Sequence, residues 1–474
     1  MLDRRELLRA LGAPGLSLAA GLLLFVADHP VHAWPVQAVA LLPWLLALGR
    51  LVQSWRGALV AGLCLGAGYI VPLSFVLAFP LLSALGLAGY LIALWTGLSV
   101  GAFLLLRRAP VLGPLGVAGL AVVIEFLDVS VLPVWGTAQV FTRVWSAWPA
   151  GVQLVAFTGM LGLVFGVVAV QALLASLVLQ PAARRRIGIT LAVLIGVGAG
   201  ASAWQWRQPS VGQVRVAAMG WTDANLAQGR RTSTEARLRD TYERLLTLAV
   251  IRGAELVVSP ETGFFVQPGE VPAFLAHLGG LARRHTVHLA VGYFDVAARK
   301  NRVALIDPRG RVLDPYEKTH LIMTLERYRP GSGRRVIVPL GRTTLGTMVC
   351  QDDNFTDLAR GYGRDRVGVM AVPTNDWAAV SRYHLESSLL RAVEHRYALV
   401  RAATNGISVI ASGRGEVLAR MDHFQHGAGV VTATVPLYRG GGWHSHAGHW
   451  IVIPSLLLVL AAALAGRRRK EPEA

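Results

Sequence analysis

The hydrophobic and polar positions divide the chain into three parts. Seven long apolar segments fill the first 206 residues, a charged part follows, and one more apolar segment lies near the C-terminus. Apolar segments of about 20 residues are long enough to cross a bilayer as helices. We therefore predict eight membrane spans, at residues 10–27, 36–48, 57–79, 83–106, 111–132, 152–179, 187–204 and 450–464.

These spans imply three domains. Residues 1–206 form a transmembrane domain of seven helices, residues 207–440 a soluble domain, and residues 441–474 a C-terminal transmembrane helix with a basic tail. The composition agrees, because 53% of the residues are hydrophobic, only 16% are charged, and the mean hydropathy is +0.48. Such values are typical of integral membrane proteins.

Basic residues cluster at alternate ends of the predicted spans. If the N-terminus is cytoplasmic and each span crosses once, every cluster falls on the cytoplasmic side, as the positive-inside rule requires. The soluble domain then lies outside the cytoplasm, and both termini lie inside. The alternative is a re-entrant hairpin among the first five spans, which would break the alternation. The clusters are Arg50 with Arg56, Arg107 with Arg108, residues 184–186 and residues 467–470.

The net charge of +18 has two explanations. A basic chain can bind nucleic acid, but the arginines lie at membrane boundaries, where they face anionic lipid headgroups. No RNA-binding motif and no zinc-finger spacing occurs, so we predict a membrane partner and no nucleic acid. Two cysteines cannot form a disulfide framework, so they do not indicate a redox compartment.

The soluble domain alternates strand-like runs with helical periodicities. Such alternation, with hairpins between, predicts a layered α/β domain with sheets inside and helices outside. Helices are predicted at residues 234–252, 271–285 and 382–396. Strands are predicted at residues 214–219, 255–261, 287–293, 302–307, 310–316, 336–339, 343–350, 367–372, 399–403 and 407–412.

Three ionisable residues, Glu261, Lys318 and Cys350, each lie at the end of a predicted strand. Cys350 alone is either a buried core thiol or a nucleophile. Strand ends meet at one edge of a sheet, where active sites of α/β folds are often built. A carboxylate can take the thiol proton, and an ammonium stabilises a thiolate and an oxyanion. The three residue types together therefore predict attack on a carbonyl carbon through a thioester.

The motifs around these residues closely resemble the nitrilase, or carbon–nitrogen hydrolase, superfamily. The resemblance covers residues 212–438. Within that range, further matching motifs lie at residues 373–377, 390–396 and 400–407. The resemblance rests on Val-Val-Ser-Pro-Glu261, Tyr-Glu-Lys318-Thr-His-Leu and Met-Val-Cys350. The helices before and after the domain are similar to one branch, the bacterial apolipoprotein N-acyltransferases. The implied fold is a multi-span α-helical membrane domain plus a nitrilase-like αββα sandwich.

The resemblance implies an enzyme of the bacterial inner membrane whose soluble domain is periplasmic. It would move an acyl chain from a phospholipid, through a cysteine thioester, to the N-terminal amine of a diacylglyceryl lipoprotein. Cys350 would be the nucleophile, Glu261 the general base and Lys318 the oxyanion stabiliser, without cofactor or metal. Supporting or substrate-binding roles would fall to Glu326, Gln351 (through its backbone N–H), Asp352, Asn375 and Trp377.

Three departures from the branch leave alternatives open. Gln351-Asp352 stands where the branch usually has Tyr-Glu, residues 322–328 differ from the usual string, and Asn375-Asp376-Trp377 is one residue shorter. The alternatives are a membrane-anchored amidase with water as acceptor, an N-acyltransferase acting on another amine, and a non-catalytic membrane scaffold or lipid transporter.

A histidine cluster, His444, His446 and His449, precedes the last span. A metal site would need a further converging ligand. The favoured interpretation is an interfacial belt, with Trp443 and Trp450 at the level of the headgroups.

Overall fold

The computed structural model describes residues 4–29, 31–223, 234–323 and 325–465, and the chain forms two compact units. The membrane unit comprises Met1–Leu132, Val140–Gln205 and His449–Ala474, and the α/β unit comprises Pro133–Gln139 and Trp206–Gly448. A short segment of the N-terminal half therefore belongs with the α/β unit. The predicted basic cluster at residues 467–470 lies outside the described residues.

The described part of the membrane unit consists of helices joined by turns. Five of its helices are long and apolar enough to cross a membrane, namely α4, α5, α6 with its continuation to Val131, α7 and α8. The apolar parts of α1 and α15 are shorter, so the eight crossings stay a prediction. The helices are α1 (Arg4–Asp28), α2 (Trp34–Ala40), α3 (Leu42–Arg50), α4 (Trp55–Leu77), α5 (Leu81–Leu106), α6 (Leu112–Phe126), α7 (Val155–Leu179), α8 (Arg184–Trp206) and α15 (Val452–Ala465).

The second predicted span is broken into two helices. Helix α2 ends at Ala40, and α3 begins at Leu42. Pro43 follows the break, and because proline has no backbone N–H, it cannot continue the hydrogen-bond ladder of α2.

A buried ion pair lies in the membrane unit. Arg143 Nη2 is 3.0 Å from Asp28 Oδ2, and both side chains are fully buried. Gln37 Nε2 donates to Asp28 Oδ1 over 3.2 Å, and the Tyr69 hydroxyl also donates to this carboxylate. Buried charges persist only when they are paired and hydrogen-bonded, so this cluster fixes α1, α2 and α4 against the turn that carries Arg143.

The α/β unit contains two β-sheets, one of seven strands and one of six. In the first sheet the strand order is β13-β1-β2-β4-β5-β6, with β3 beside β4, and in the second it is β12-β11-β10-β9-β8-β7. The strands are β1 (Gly212–Gly220), β2 (Leu256–Val258), β3 (Phe264–Val266), β4 (His288–Asp295), β5 (Lys300–Ile306), β6 (Tyr316–Glu317), β7 (Ile337–Leu340), β8 (Thr343–Thr347), β9 (Val369–Asn375), β10 (Ala398–Thr404), β11 (Ile407–Ala411), β12 (Val417–Asp422) and β13 (Gly429–Leu437).

The side chains of β1 show how the layers are built, because successive residues of a strand point to opposite faces. Val216 joins the core shared with the second sheet, whereas Ala217 packs with Leu245 and Leu278 of the outer helices. The predicted αββα sandwich is confirmed. The remaining helices are α9 (Thr234–Ile251), α10 (Val271–His285), α11 (Thr356–Arg364), α12 (Ala378–His395), α13 (His423–His426) and α14 (Trp443–Ala447).

The predicted strand up to Cys350 is wrong at its end. Strand β8 stops at Thr347, where its pairing with β9 ends at Ala371. Cys350 instead begins the 3-10 turn Cys350–Asn354, with φ at +47°. A left-handed φ is incompatible with a strand, although the apolar residues before Cys350 continue the strand pattern. Strands β3, β12 and β13 and helix α11 were not predicted, and the strand predicted at residues 310–316 is wrong, since only an isolated bridge at Val312 and the start of β6 form there.

The segment Pro133–Gln139 docks on the turn Cys350–Asn354. Thr137 Oγ1 donates to the carbonyl of Asn354 over 2.9 Å and accepts from Arg391 Nη2 over 2.8 Å. Its neighbour Gly136 has φ at +56°, and a Cβ there would lie 2.3 Å from the Asn354 carbonyl oxygen. Only glycine allows this close approach.

We predict that Gly136→Ala destabilises the α/β unit by about 1–3 kcal/mol, because alanine adds a left-handed strain and a clash with Asn354. The thermal unfolding midpoint of the purified full-length chain should fall. Gly280→Ala in α10 is the matched control, since nothing lies within 4 Å of the added Cβ. Equal midpoints for the two variants would contradict the docking of this segment.

Candidate active site

The three predicted catalytic residues follow strands at one side of the α/β sandwich. Glu261 follows β2, Lys318 directly follows β6, and Cys350 opens the turn after β8. All three side chains are buried, with residue exposures of 2%, 1% and 2%. The left-handed backbone of Cys350 is a conformation that non-glycine residues adopt mainly at functional sites.

Lys318 joins two carboxylates. Its Nζ lies 2.8 Å from Glu261 Oε1 and 2.7 Å from Glu326 Oε1. The other oxygen of Glu326 accepts from the backbone N–H of Ile322 over 2.8 Å, which holds this carboxylate in the loop after Lys318. The structure thus brings Glu326 to the position that the resemblance implied.

Glu261 is oriented by two further donors. Asn301 Nδ2 donates to Oε1 over 2.6 Å, and the backbone N–H of Asn375 donates to Oε2 over 2.8 Å. Asn301 Nδ2 also lies 3.1 Å from the hydroxyl of Tyr328. Asn301 and Tyr328 were not predicted as site residues. Only the fold brings Asn301 to Glu261 and Tyr328 to Asn301.

The pKa values follow from burial and charge. Burial raises the pKa of Glu261, and Glu326 adds to this, while Lys318 opposes it. Burial alone would lower the pKa of Lys318, but the charges of Glu261, Cys350 and Glu326 raise it well above its usual value. Lys318 therefore stays an ammonium, and Glu261 is a stronger base than an exposed glutamate.

The Cys350 thiol is protonated at neutral pH. Burial and then the charge of Glu261 raise its pKa to about 11, whereas Lys318 and His384 lower it. Its Sγ lies 3.8 Å from the carbonyl oxygen of Asn375, whose N–H binds Glu261. A protonated thiol needs a base before it can attack a carbonyl carbon. Glu261 is the carboxylate whose charge has the largest effect on the pKa of the Cys350 thiol.

Asp352 anchors the turn instead of facing a substrate. Its carboxylate accepts from the Tyr316 hydroxyl over 2.7 Å and from the backbone N–H groups of Thr319 and His320 over 3.1 and 2.7 Å. Because these donors flank Lys318 in the chain, Asp352 fixes the Cys350 turn beside the lysine. Its contacts fit the supporting role, and they occupy the oxygens that a substrate would need.

The other predicted site residues lie nearby. Gln351 is buried, and its Oε1 accepts from Asn354 Nδ2 over 3.2 Å. The first N–H groups of a helical turn lack partners inside the turn, which agrees with an oxyanion role for the Gln351 backbone. Asn375 contributes its backbone to Glu261, and its Oδ1 accepts from Asn405 Nδ2 over 3.2 Å. Trp377 is half-buried at the start of α12.

A second buried charged group lies on the α12 side of Cys350, formed by Asp353, Asp376, His384 and Arg401. His384 Nδ1 is 3.0 Å from Asp376 Oδ1, and Nε2 is 3.0 Å from Asp353 Oδ1. Arg401 Nη2 is 2.9 Å from Asp376 Oδ2. Sequence reasoning missed this group, although Asp376 and Arg401 stand within the quoted motifs, because its members pair only across the second sheet.

His444 is not part of an interfacial belt. It is buried within the α/β unit, and its Nε2 lies 3.3 Å from Glu394 Oε1. Trp443 beside it is exposed. His449 and Trp450 belong to the membrane unit, so the sequence cluster divides between the two units.

The pKa of Cys350 gives a testable pH dependence. In a Cys64→Ala chain, alkylation of Cys350 by iodoacetamide should become about tenfold faster per pH unit between pH 7 and 9, because the thiolate fraction grows until the pH passes the thiol pKa. Glu261→Gln removes an anion that raises this pKa, so its profile should level off at a lower pH. A plateau below pH 8 in the parent would contradict the assignment.

The chain is similar to several known proteins. The Carbon-nitrogen hydrolase family matches residues 214–445. The Apolipoprotein N-acyltransferase of Gloeobacter violaceus is 29% identical, covering 98% of this chain and 95% of the relative. That of Rhodopseudomonas palustris is 25% identical, covering 96% and 95%.

A solved amidase from Nesterenkonia sp. is 24% identical over 47% of this chain and 90% of its own, with a TM-score of 0.40. The alignments to the two N-acyltransferases are the most informative, because they include the membrane helices as well as the α/β unit. Over nearly its whole length the chain is therefore similar to the apolipoprotein N-acyltransferases, the membrane branch of the carbon–nitrogen hydrolase superfamily.

Proposed function

We propose that this chain is an integral-membrane N-acyltransferase of lipoprotein maturation. It takes an acyl chain from a phospholipid onto Cys350 and passes it to the N-terminal amine of a diacylglyceryl-cysteine. The observation that carries the proposal is the buried Glu261–Lys318 pair, 2.8 Å apart, whose charges act on the Cys350 thiol. This pair lies in a chain that aligns over nearly its whole length with apolipoprotein N-acyltransferases.

The first step forms the thioester. Glu261 takes the thiol proton while the sulfur attacks the ester carbonyl carbon of the phospholipid, which gives a tetrahedral oxyanion. Two of the three N–H bonds of Lys318 point to Glu261 and Glu326, which leaves the third for this oxyanion. When the C–O bond breaks, Glu261 returns the proton to the departing glycerol oxygen, so the carboxylate is regenerated.

The second step forms the amide. The neutral amine of the acceptor attacks the thioester carbon, and Glu261 accepts a proton from the attacking nitrogen. The C–S bond breaks, and the leaving thiolate regains its proton from Glu261. If water replaces the amine, the same steps give a free fatty acid, which is the reaction of the amidase alternative.

The membrane setting follows from the substrates. Both the donor and the acceptor are lipids, so the thioester must form at a bilayer surface. We propose eight crossings, cytoplasmic termini and an α/β unit on the periplasmic side of the inner membrane. The support is the positive-inside pattern of the described arginine clusters.

The first test follows the acyl chain. We expect purified protein incubated with acyl-labelled phospholipid to acquire a hydroxylamine-sensitive label, and a lipopeptide with a free N-terminal amine to remove it as an amide. Cys350→Ala should abolish the label, and Glu261→Gln should reduce its rate by at least about 100-fold, the range typical of a lost general base. Cys64→Ala, which removes the other thiol, should change neither.

The possible outcomes separate the candidate functions. Persistent label on the Cys350→Ala chain would overturn the nucleophile assignment. Label that is lost only to water, with the lipopeptide present, would favour the amidase.

The second test examines the orientation. In a Cys64→Ala chain, Ala276→Cys in α10 should react with a membrane-impermeant maleimide on intact spheroplasts. The control Ala182→Cys, beside the arginines that begin α8, should react only after lysis. Both sites are exposed, and the remaining Cys350 is buried. The reverse pattern would overturn the proposed orientation.

A further inference from the structure

The charged group formed by Asp353, Asp376, His384 and Arg401 has no role in the mechanism above. All four residues are buried, with exposures between 0% and 5%. One ring nitrogen of His384, one carboxylate oxygen of Asp376 and the Cys350 sulfur lie within 4.8 Å of one another. The group therefore borders the reacting atom.

The carboxylates and the guanidinium around His384 act in opposite directions on its protonation. Each ring nitrogen lies 3.0 Å from a carboxylate oxygen, and a neutral imidazole could donate to only one of them. Burial and Arg401, whose Nη2 lies 3.0 Å from His384 Nδ1, oppose a positive charge, but the two carboxylates outweigh them and raise the pKa of His384 well above its usual value. The two carboxylate contacts therefore favour an imidazolium that donates from both ring nitrogens.

The same contacts argue against a metal at this place. Cys350, Asp376 and His384 lie close enough together to hold an ion. However, the Arg401 guanidinium already contacts two of these three residues, with Nη2 2.9 Å from Asp376 Oδ2 and 3.0 Å from His384 Nδ1, and its positive charge would repel a metal ion.

Charge counting shows what the imidazolium does for the sulfur. On the base side, Lys318 contributes one positive charge against the two carboxylates of Glu261 and Glu326, so that group carries a net charge of −1. On the α12 side, Asp353 and Asp376 face Arg401 and His384. This group is neutral when His384 is protonated, and it carries −1 when His384 is neutral. Once Glu261 has taken the thiol proton, the base side is neutral, and a net charge of −1 on the α12 side would then disfavour the thiolate.

We propose that His384 is a positioning residue for the Cys350 sulfur: an imidazolium, locked between Asp353 and Asp376, that stabilises the thiolate. The proposal rests on the proposed function, because the thiolate forms there twice. It is the nucleophile when the thioester forms and the leaving group when the amine attacks. His384 therefore favours both steps, while Glu261 moves the proton in each.

The surrounding structure holds the imidazolium rigidly. Ser388, one turn later on α12, donates to Asp353 and accepts from Arg401 Nη1 over 2.9 Å. Arg391 Nε donates to the backbone carbonyl of Asp353 over 3.1 Å. Preorganised charges of this kind stabilise a developing charge without moving during the reaction.

The test uses His384→Gln in a Cys64→Ala chain, because glutamine keeps a hydrogen-bond donor but not the charge. We expect iodoacetamide to alkylate Cys350 at least about tenfold more slowly at pH 8, which corresponds to a rise of one unit in the thiol pKa. Both thioester formation from phospholipid and transfer to the lipopeptide should slow by a similar factor.

Two further variants separate charge from packing. His384→Lys keeps a cation between the carboxylates and should restore most of the alkylation rate. His395→Gln is the matched control on the same helix, because His395 is also buried but burial lowers its pKa well below the usual value, so it carries no charge. A folded His384→Gln chain with the parent's alkylation profile and acylation rate would overturn the proposal.

A measurement on the folded parent covers the case in which His384→Gln does not fold. With ¹⁵N-labelled histidine, the signal that His384→Lys removes should be that of an imidazolium at pH 8, and a neutral imidazole there would also overturn the proposal. Alkylation and NMR need no lipid. A parent that forms no thioester would therefore refute the proposed function without deciding the role of His384.

Discussion

The site depends on a buried ammonium that is shared by two carboxylates. Lys318 is fully enclosed and touches Glu261 and Glu326 at 2.8 and 2.7 Å. Removing one partner of such a buried pair typically costs about 3–5 kcal/mol, so the three groups must be in place together. This requirement fixes the first sheet, because Glu261 follows β2, Asn301 lies on β5, and Lys318 follows β6. Burial, with a smaller contribution from Glu326, gives Glu261 its basicity against the opposing charge of Lys318.

The turn Cys350–Asn354 holds the Cys350 sulfur in place beside these groups. Three consecutive residues of the turn bind three different parts of the α/β unit. Asp352 binds the loop after Lys318, Asp353 binds His384 and Ser388 of α12, and the carbonyl of Asn354 binds Thr137. The turn holds Cys350 with a left-handed backbone. The departures Gln351 and Asp352 lie in this turn, and Asp352 ties the turn to residues on both sides of Lys318.

The sequence predicted those parts of the site that are local. Glu261 and Lys318 follow apolar strands within recognisable motifs, so their meeting at one side of a sandwich could be expected. The end of β8 was placed three residues late, because Met348 and Val349 continue the apolar pattern while the backbone leaves the sheet. The sign of φ at Cys350 leaves no trace in the residue pattern.

Long-range pairing explains the remaining omissions. Thr137 stands 217 residues before Asn354, in a loop between predicted spans, and nothing in its surroundings indicates a contact with the α/β unit. His384 was recognised only as part of a helix, because its role depends on Asp353 and Asp376, which approach it from two other elements. Charged residues that pair across a sheet cannot be matched from one sequence alone.

The central claim is that the acyl chain passes through Cys350, and a time-resolved acid quench tests it most directly. Samples taken during turnover of phospholipid and lipopeptide would be digested, and the peptide that contains Cys350 would be measured by mass spectrometry. We expect this peptide to gain the mass of one acyl chain on the sulfur before amide product appears, and the adduct to decay at the rate of amide formation. Amide formed at full rate while Cys350 stays unmodified at every time point would contradict it.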